Sequence, residues 1–293
     1  MTIAVTGAGG QLGAELCRQL GAKAAGLDLP EFDLADRPRL LATLRQIRPR
    51  AIINTAAFTL VDKAETEPGL CRAINCDGVA HLVEACRELD CALVQISTDY
   101  VFGGEVGRAT PYREDDAPSP QGVYARTKLE GEREAARWHR HCIVRTCGLY
   151  GRLGPRSPGN FVETMLRLGT ERRKLRVVND QVCTPSYVPH VARAILFLLE
   201  ARAFGIYHVV NSGHTTWYQM ALEIFRLTGA AVELQAISTS EYGAPAPRPA
   251  YSVLDTTKYH ALPGRPQMPS WRAALAEYLS ARGRHVADHS PGA

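Results

Sequence analysis

Thr6-Gly7-Ala8-Gly9-Gly10-Gln11-Leu12-Gly13 follows directly on the apolar run Ile3-Ala4-Val5, and its glycines at 7, 10 and 13 form a Gly-x-x-Gly-x-x-Gly pattern between a strand and a helix. Glycine is needed where the chain turns tightly, where its backbone must approach a pyrophosphate, and where a helix packs close to a strand. The helix amino terminus then faces the phosphate charge. A plain tight turn is the competing reading of any glycine pattern. Context weighs against it here, because Asp28 ends the next apolar run, 21 residues after Gly7, where an acid accepts hydrogen bonds from an adenine-side ribose. Gly7, Gly10, Gln11, Leu12 and Gly13 therefore read as a dinucleotide-binding turn. Asp28 tilts the choice toward NADH, since its charge repels a 2′-phosphate.

Outward from this turn, short apolar runs alternate with segments of helical period: Ala24 to Leu27, Pro38 to Ile47, Ala51 to Asn54, Leu70 to Glu88, Ala92 to Ser97, Val123 to Arg137 and His141 to Thr146. This alternation predicts an α/β fold, a Rossmann-type doubly wound parallel sheet, with a smaller C-terminal substrate-binding lobe. Residues 1–150 form the NAD(P)-binding domain in this reading, with 188–212 returning to it. Residues 151–187 and 213–280 form the lobe, and 281–293 a frayed tail. Gly151 to Gly159, with three glycines and two prolines, reads as a long loop, and Gly243 to Pro249 as another.

Composition narrows the function classes. Of 293 residues, 45% are hydrophobic and 22% charged, and the net charge is +4, with one short basic cluster, Glu171-Arg172-Arg173-Lys174-Leu175-Arg176, that reads as a solvated helix end. Nothing has the density of a nucleic-acid-binding stripe, and no nucleic-acid or membrane partner is expected. The eight cysteines, at 17, 71, 76, 86, 91, 142, 147 and 183, show no Cys-x-x-Cys spacing and read as reduced thiols. The amino terminus lacks a charged segment followed by an apolar one, so a cytoplasmic location is expected.

The chemistry centres on two stretches. Leu93-Val94-Gln95-Ile96 delivers Ser97-Thr98-Asp99-Tyr100 to the carboxyl end of the sheet, where open α/β folds bind ligands. Tyr124-Ala125-Arg126-Thr127-Lys128 opens a helix and sets Tyr124 and Lys128 four apart on one face. A carbonyl reductase needs a proton donor for the alkoxide it forms; an adjacent ammonium lowers a tyrosine toward that task, and the Thr98 hydroxyl can orient the carbonyl. Asp33 and Leu34 stand where the adenine edge would lie, although a surface turn equally accounts for Asp33. Asn54-Thr55-Ala56-Ala57 offers small residues beside the ribose and nicotinamide, with close packing as the alternative explanation.

These motifs resemble the short-chain dehydrogenase superfamily, extended branch. Over nearly the full length the chain resembles the dTDP-4-dehydrorhamnose reductase family, through Ala57-Phe58-Thr59-Leu60-Val61-Asp62-Lys63-Ala64-Glu65, Ser97-Thr98-Asp99-Tyr100-Val101-Phe102, Val178-Asn179-Asp180-Gln181, Gly205-Ile206-Tyr207-His208, Thr215-Thr216-Trp217-Tyr218 and Arg248-Pro249. The resemblance implies NADPH or NADH as cofactor, held by the glycine turn with Asp28, Asp33, Leu34, Asn54, Ala56, Ala57, Tyr124 and Lys128. It implies Thr98, Tyr124 and Lys128 as the catalytic residues, and Val61, Thr98, Asp99, Tyr100, Phe102 and Arg248 around a nucleotide-linked 6-deoxysugar reduced at its 4-keto group. It also admits a homodimer. Glu15 matches one position of a magnesium-assisted dimer contact, but its partners have no match and no metal is expected.

The chain departs from the family in one place. Arg145-Thr146-Cys147-Gly148-Leu149-Tyr150-Gly151 has glycine where the family carries the tryptophan that packs on the sugar. An apolar wall is then missing unless a ring enters from loop 151–159. Two other functions fit the same resemblance: a non-catalytic NAD(P)-binding regulatory subunit, like that of methionine adenosyltransferase, and an NAD-dependent nucleotide-sugar epimerase or dehydratase.

Overall fold

The structure, a computed structural model, describes residues 2–287. Its first half runs β1 (Ile3–Thr6), α1 (Gln11–Leu20), β2 (Ala24–Leu27), α2 (Arg37–Ile47), β3 (Ala51–Asn54), α3 (Val61–Ala64), α4 (Pro68–Arg72), α5 (Gly78–Leu89), β4 (Ala92–Thr98), α6 (Gly122–Ala135) and β5 (His141–Thr146). The second half runs β6 (Leu149–Tyr150), α7 (Phe161–Glu171), β7 (Lys174–Val178), β8 (Val182–Cys183), β9 (Ser186–Tyr187), α8 (Val188–Glu200), β10 (Gly205–His208), β11 (Thr215–Thr216), α9 (Trp217–Thr228), β12 (Glu233–Ile237), α10 (Thr239–Tyr242), α11 (Thr257–His260) and α12 (Trp271–Ala287).

The main sheet has six parallel strands in the order β10-β5-β4-β3-β1-β2. Alternate side chains of these buried strands feed two cores, as a sheet covered on both faces requires. Ile3, Val5, Ile53, Val94 and Val144 pack on one face with Leu12 and Leu16 of α1 and Val191, Ile195 and Leu198 of α8. Ala4, Ile52, Leu93 and Ile143 pack on the other with Leu40, Leu41 and Leu44 of α2 and Val79, Leu82 and Val83 of α5. Each such Leu, Ile or Val contributes about 1.5–3 kcal/mol by its burial. The strand order reverses between β2-β1 and β3-β4, which opens a crevice at the carboxyl ends of β1 and β3.

The single helix read from Leu70 to Glu88 is α4 and α5 joined by a π-helical turn, Ala73–Asp77. That widened turn carries Asn75, whose side chain bonds both backbone groups of Phe58, and sets the Asn75 carbonyl against Gly131 of α6. A Cβ at Gly131 would stand 2.1 Å from that oxygen, so α6 can approach only because residue 131 is glycine.

A third core, with Val162, Met165, Leu175, Val177, Met220, Ile224, Phe225, Trp271 and Leu275, lies under α7, α9 and α12. Its β7 pairs in parallel with β12 (Glu233–Ile237), and of the two only β12 has no counterpart in the sequence pattern. The frayed tail expected from 281 is corrected in part: α12 continues to Ala287, and its Arg282 pairs with Glu163 of α7 at 2.8 Å. Residues 288–293 lie outside the described residues. Nor is the basic cluster only a helix end, because Lys174 and Arg176 lie on β7 and pair with Glu233 and Glu241. No helix among the described residues is long and apolar enough to cross a membrane.

Candidate active site

A cleft of about 550 Å³ lies along the carboxyl ends of the strands, a size suited to a dinucleotide's working half together with a small substrate. At one end is the glycine turn. Gly7 has φ +68°, and a Cβ on Gly13 would stand 2.1 Å from the Gly7 carbonyl, so the turn closes only with glycine at 13. Gly7, Gly10, Gln11, Leu12 and Gly13 all line the cleft, as do Asp28, Asp33, Leu34, Ala56 and Ala57. Asp28 accepts a 2.6 Å hydrogen bond from Gly9 N and another from Leu29 N, which fixes its carboxylate beside the turn. The Asp33 carboxylate accepts from Ala35 N and so also shapes its own turn.

Asn54 is a correction. It is wholly buried, accepts from Thr6 Oγ1 and donates to Gln95 Oε1 at 2.7 Å, forming a polar ladder beneath the cleft rather than a wall of it. An amide taken out of water must find such partners, and the neighbouring strands supply them. Thr55 faces the cleft instead.

At the other end β4 delivers Thr98 and α6 delivers Tyr124 and Lys128, all three in the cleft lining. Glu65 fixes where α6 begins: its Oε1 accepts from Val123 N at 2.7 Å, placing a carboxylate on the helix amino terminus. Burial raises the Tyr124 hydroxyl above its ordinary range, with a hydrogen bond to Thr98 opposing the rise. Burial also lowers Lys128 to about 8, opposed by the charge of Glu132. The expected depression of Tyr124 by a neighbouring ammonium is therefore not the dominant effect. Lys128 Nζ donates to Ile96 O at 2.6 Å, and desolvation outweighs the pairing.

Ser97 and Thr146 line the cleft, and their buried hydroxyls have no hydrogen-bond partner among the described residues. Orphaned buried hydroxyls of this kind carry a desolvation cost. The glycine cradle, which a Cβ at Gly7 or Gly13 would fill, fits the pyrophosphate of a dinucleotide.

Of the residues expected around a sugar, Val61, Thr98, Asp99 and Tyr100 line the cleft. Asp99 is locked by Ser252 Oγ at 2.6 Å and by Thr98 Oγ1 at 3.2 Å, and burial raises its carboxyl. Tyr100 meets the Tyr124 ring edge-on, 5.9 Å between centroids. Phe102 and Arg248 are corrections. Phe102 is fully buried and stacks on Tyr112 at 4.2 Å, since the short turn Asp99–Val101 directs it away from the cleft. Arg248 makes a two-pronged pair with Asp62, both contacts 2.9 Å, and so fastens the 243–249 loop beside Val61 without entering the cleft lining.

The missing wall at Gly148 is supplied from elsewhere than loop 151–159. Gly148 has φ +51°, and a Cβ there would stand 3.0 Å from Cη2 of Trp217 and 3.2 Å from Pro185 Cα. The Trp217 indole borders the cleft, donates Nε1 to Gln181 Oε1 at 3.2 Å, and packs against Phe161 at 4.8 Å. Gln181 in turn donates to Thr239, and Asn179 accepts from Thr216, the residue capping α9. The Val178–Gln181 and Thr215–Tyr218 stretches thus form one scaffold for a single indole.

Residues 1–283 match the family described as the RmlD substrate binding domain. The chain belongs to the dTDP-4-dehydrorhamnose reductase family. It is 41% identical to a dTDP-4-dehydrorhamnose reductase of Streptomyces griseus, covering 94% of this chain and 92% of that one. A solved dTDP-4-dehydrorhamnose reductase from Clostridium acetobutylicum superposes with a TM-score of 0.91 at 38% identity, over 97% of this chain and all of the other. A Bacillus anthracis dTDP-4-dehydrorhamnose reductase solved in complex with NADP superposes at 0.90 with 36% identity, over 96% of this chain and 100% of the other. Sequence reasoning missed Phe32, Thr55, Ser97, Thr146, Arg156 and Trp217 as cleft residues. Of these, Ser97 and Trp217 stood in stretches that carry the family resemblance, Thr55 among the small residues at the end of β3, and Thr146 in the stretch that departs from the family.

Proposed function

We infer that this chain reduces the 4-keto group of a nucleotide-linked 6-deoxysugar with NADPH or NADH, and that dTDP-4-dehydro-L-rhamnose is its substrate. The observation that carries the reading is the convergence of Thr98, Tyr124 and Lys128 at one end of a cleft whose other end is the glycine turn. A reduced nicotinamide bound there would supply hydride to the carbonyl carbon. Tyr124 donates the proton that the resulting alkoxide requires, its raised range keeping the hydroxyl protonated at neutral pH. Thr98 holds the carbonyl oxygen by hydrogen bonding, and the Lys128 ammonium, one helical turn from Tyr124, stabilises the tyrosinate left behind. Val61, Tyr100 and Trp217 enclose the sugar. The test is cofactor consumption with dTDP-4-dehydro-L-rhamnose generated in situ. Substrate-dependent loss of NADPH absorbance is expected; a folded, cofactor-binding protein with no turnover overturns the reading in favour of a binding role.

Trp217 is the wall of that pocket, so Trp217→Ala is expected to raise KM for the sugar nucleotide about tenfold while moving kcat far less, as loss of one aromatic contact area would. An unchanged KM in steady-state kinetics would remove Trp217 from the pocket.

A further inference from the structure

Arg156 stands at the Gly9–Asp28 end of the cleft, on the irregular segment between β6 and α7. Its backbone is tied down: Arg156 N donates to Gly9 O at 2.9 Å, and Gly154 lies so close that a Cβ there would be 2.3 Å from the Gly9 carbonyl. Its aliphatic stem covers Gly9, and its Nε is 3.8 Å from Asp28 Oδ1, with the side chain half exposed. Arg156 and Lys128 are the only cations among the described residues lining the cleft, and Lys128 is at the far end on the Ile96 carbonyl. Arg37, at the start of α2 just beyond the Asp28–Asp33 turn, is paired with Glu84 and lies outside the lining.

We propose that Arg156 recognises the 2′-phosphate of NADPH, acting with Asp28 as a two-sided selector. Asp28 accepts from a free 2′-hydroxyl, and Arg156 takes a 2′-phosphate. This rests on the dinucleotide reading of the glycine turn but not on the sugar reaction. A 2′-phosphate beside Asp28 meets a like charge, and a planar guanidinium on its other side offsets that repulsion with two parallel donors. The Asp28 contact is a single, long, half-exposed one, so Arg156 leaves it at little cost. The result is a site that accepts both cofactors, with preference set by Arg156 of the loop and Asp28 at the end of β2 together.

Titration calorimetry with NADP⁺ and NAD⁺ tests this without any sugar substrate. Arg156→Ala is expected to weaken NADP⁺ about tenfold and to leave NAD⁺ within about twofold, and Arg156→Lys to recover part of the loss. Added salt is expected to narrow the wild-type preference for NADP⁺ over NAD⁺, because a half-exposed charge pair is screened. Equal losses for both nucleotides would overturn the proposal and make Arg156 a loop anchor or a stacking group; no loss for either would overturn it as well. A wild type that binds neither nucleotide would refute the dinucleotide reading itself.

Discussion

Tyr124→Phe is expected to lower kcat about a thousandfold, with cofactor affinity little changed, because it removes the proton donor and nothing else from the helix face. The Tyr124 ring keeps its edge-on contact with Tyr100, so the variant should fold normally. The same assay, run against pH, reads Lys128. Its proton is held below about 8 and released above. The wild-type rate should therefore fall as pH rises through that value, while Tyr124, raised by burial, stays protonated across the window. Residual activity in Tyr124→Phe above about a tenth of wild type would show that another group delivers the proton.

Glu132→Ala is expected to cost about 3–5 kcal/mol and to lower Tm by roughly 6–20 °C. Glu132 and Arg145 form a two-pronged pair at 2.9 and 2.8 Å with side chains 4% and 2% exposed. The guanidinium also stands over the Phe102 ring at 5.0 Å and 3.4 Å from His208 Nε2. His208 adds no second cation beside it, because burial, reinforced by Arg145 itself, pushes that imidazole down to about 3 and keeps it neutral. Removing Glu132 thus leaves a buried cation among apolar rings. Thermal unfolding of Glu132→Ala beside Glu132→Leu/Arg145→Met separates the explanations: the double variant should recover most of the loss. A shift under about 3 °C for the single variant would mean that water reaches Arg145.

What the sequence showed well is local. The glycine turn and the Tyr124–Lys128 pair are written within one strand–helix junction or one helical turn, and Asp28 closes the adjacent strand, where spacing sets geometry. What it hid depends on distant segments meeting. Trp217 covers Gly148 from 69 residues away, and Arg156 reaches Gly9 from 147 away. Phe102 and Asn54 were misplaced for a different reason: each lies next to true cleft residues in sequence, and only the direction of a short turn or of a strand pleat sends it to the interior. Arg248 was nominated by the Arg-Pro motif, but its partner Asp62 lies 186 residues off and claims both prongs of its guanidinium. In α12, the weak apolar periodicity that read as fraying belongs to a helix whose apolar contacts are made by Trp271, Leu275 and Tyr278, with Arg282 holding Glu163 beyond them.

The placement of the indoles gives the chain a built-in optical readout. Of its three tryptophans, Trp138 and Trp271 are buried in separate cores, at 9% and 2% exposure, while Trp217 alone borders the cleft. A sugar nucleotide settling against that ring changes the polarity and quenching around one emitter, leaving the other two as an internal standard. If the proposed sugar pocket is right, intrinsic fluorescence is expected to report its occupancy through Trp217, while Trp138 and Trp271 report whether the fold around it has survived.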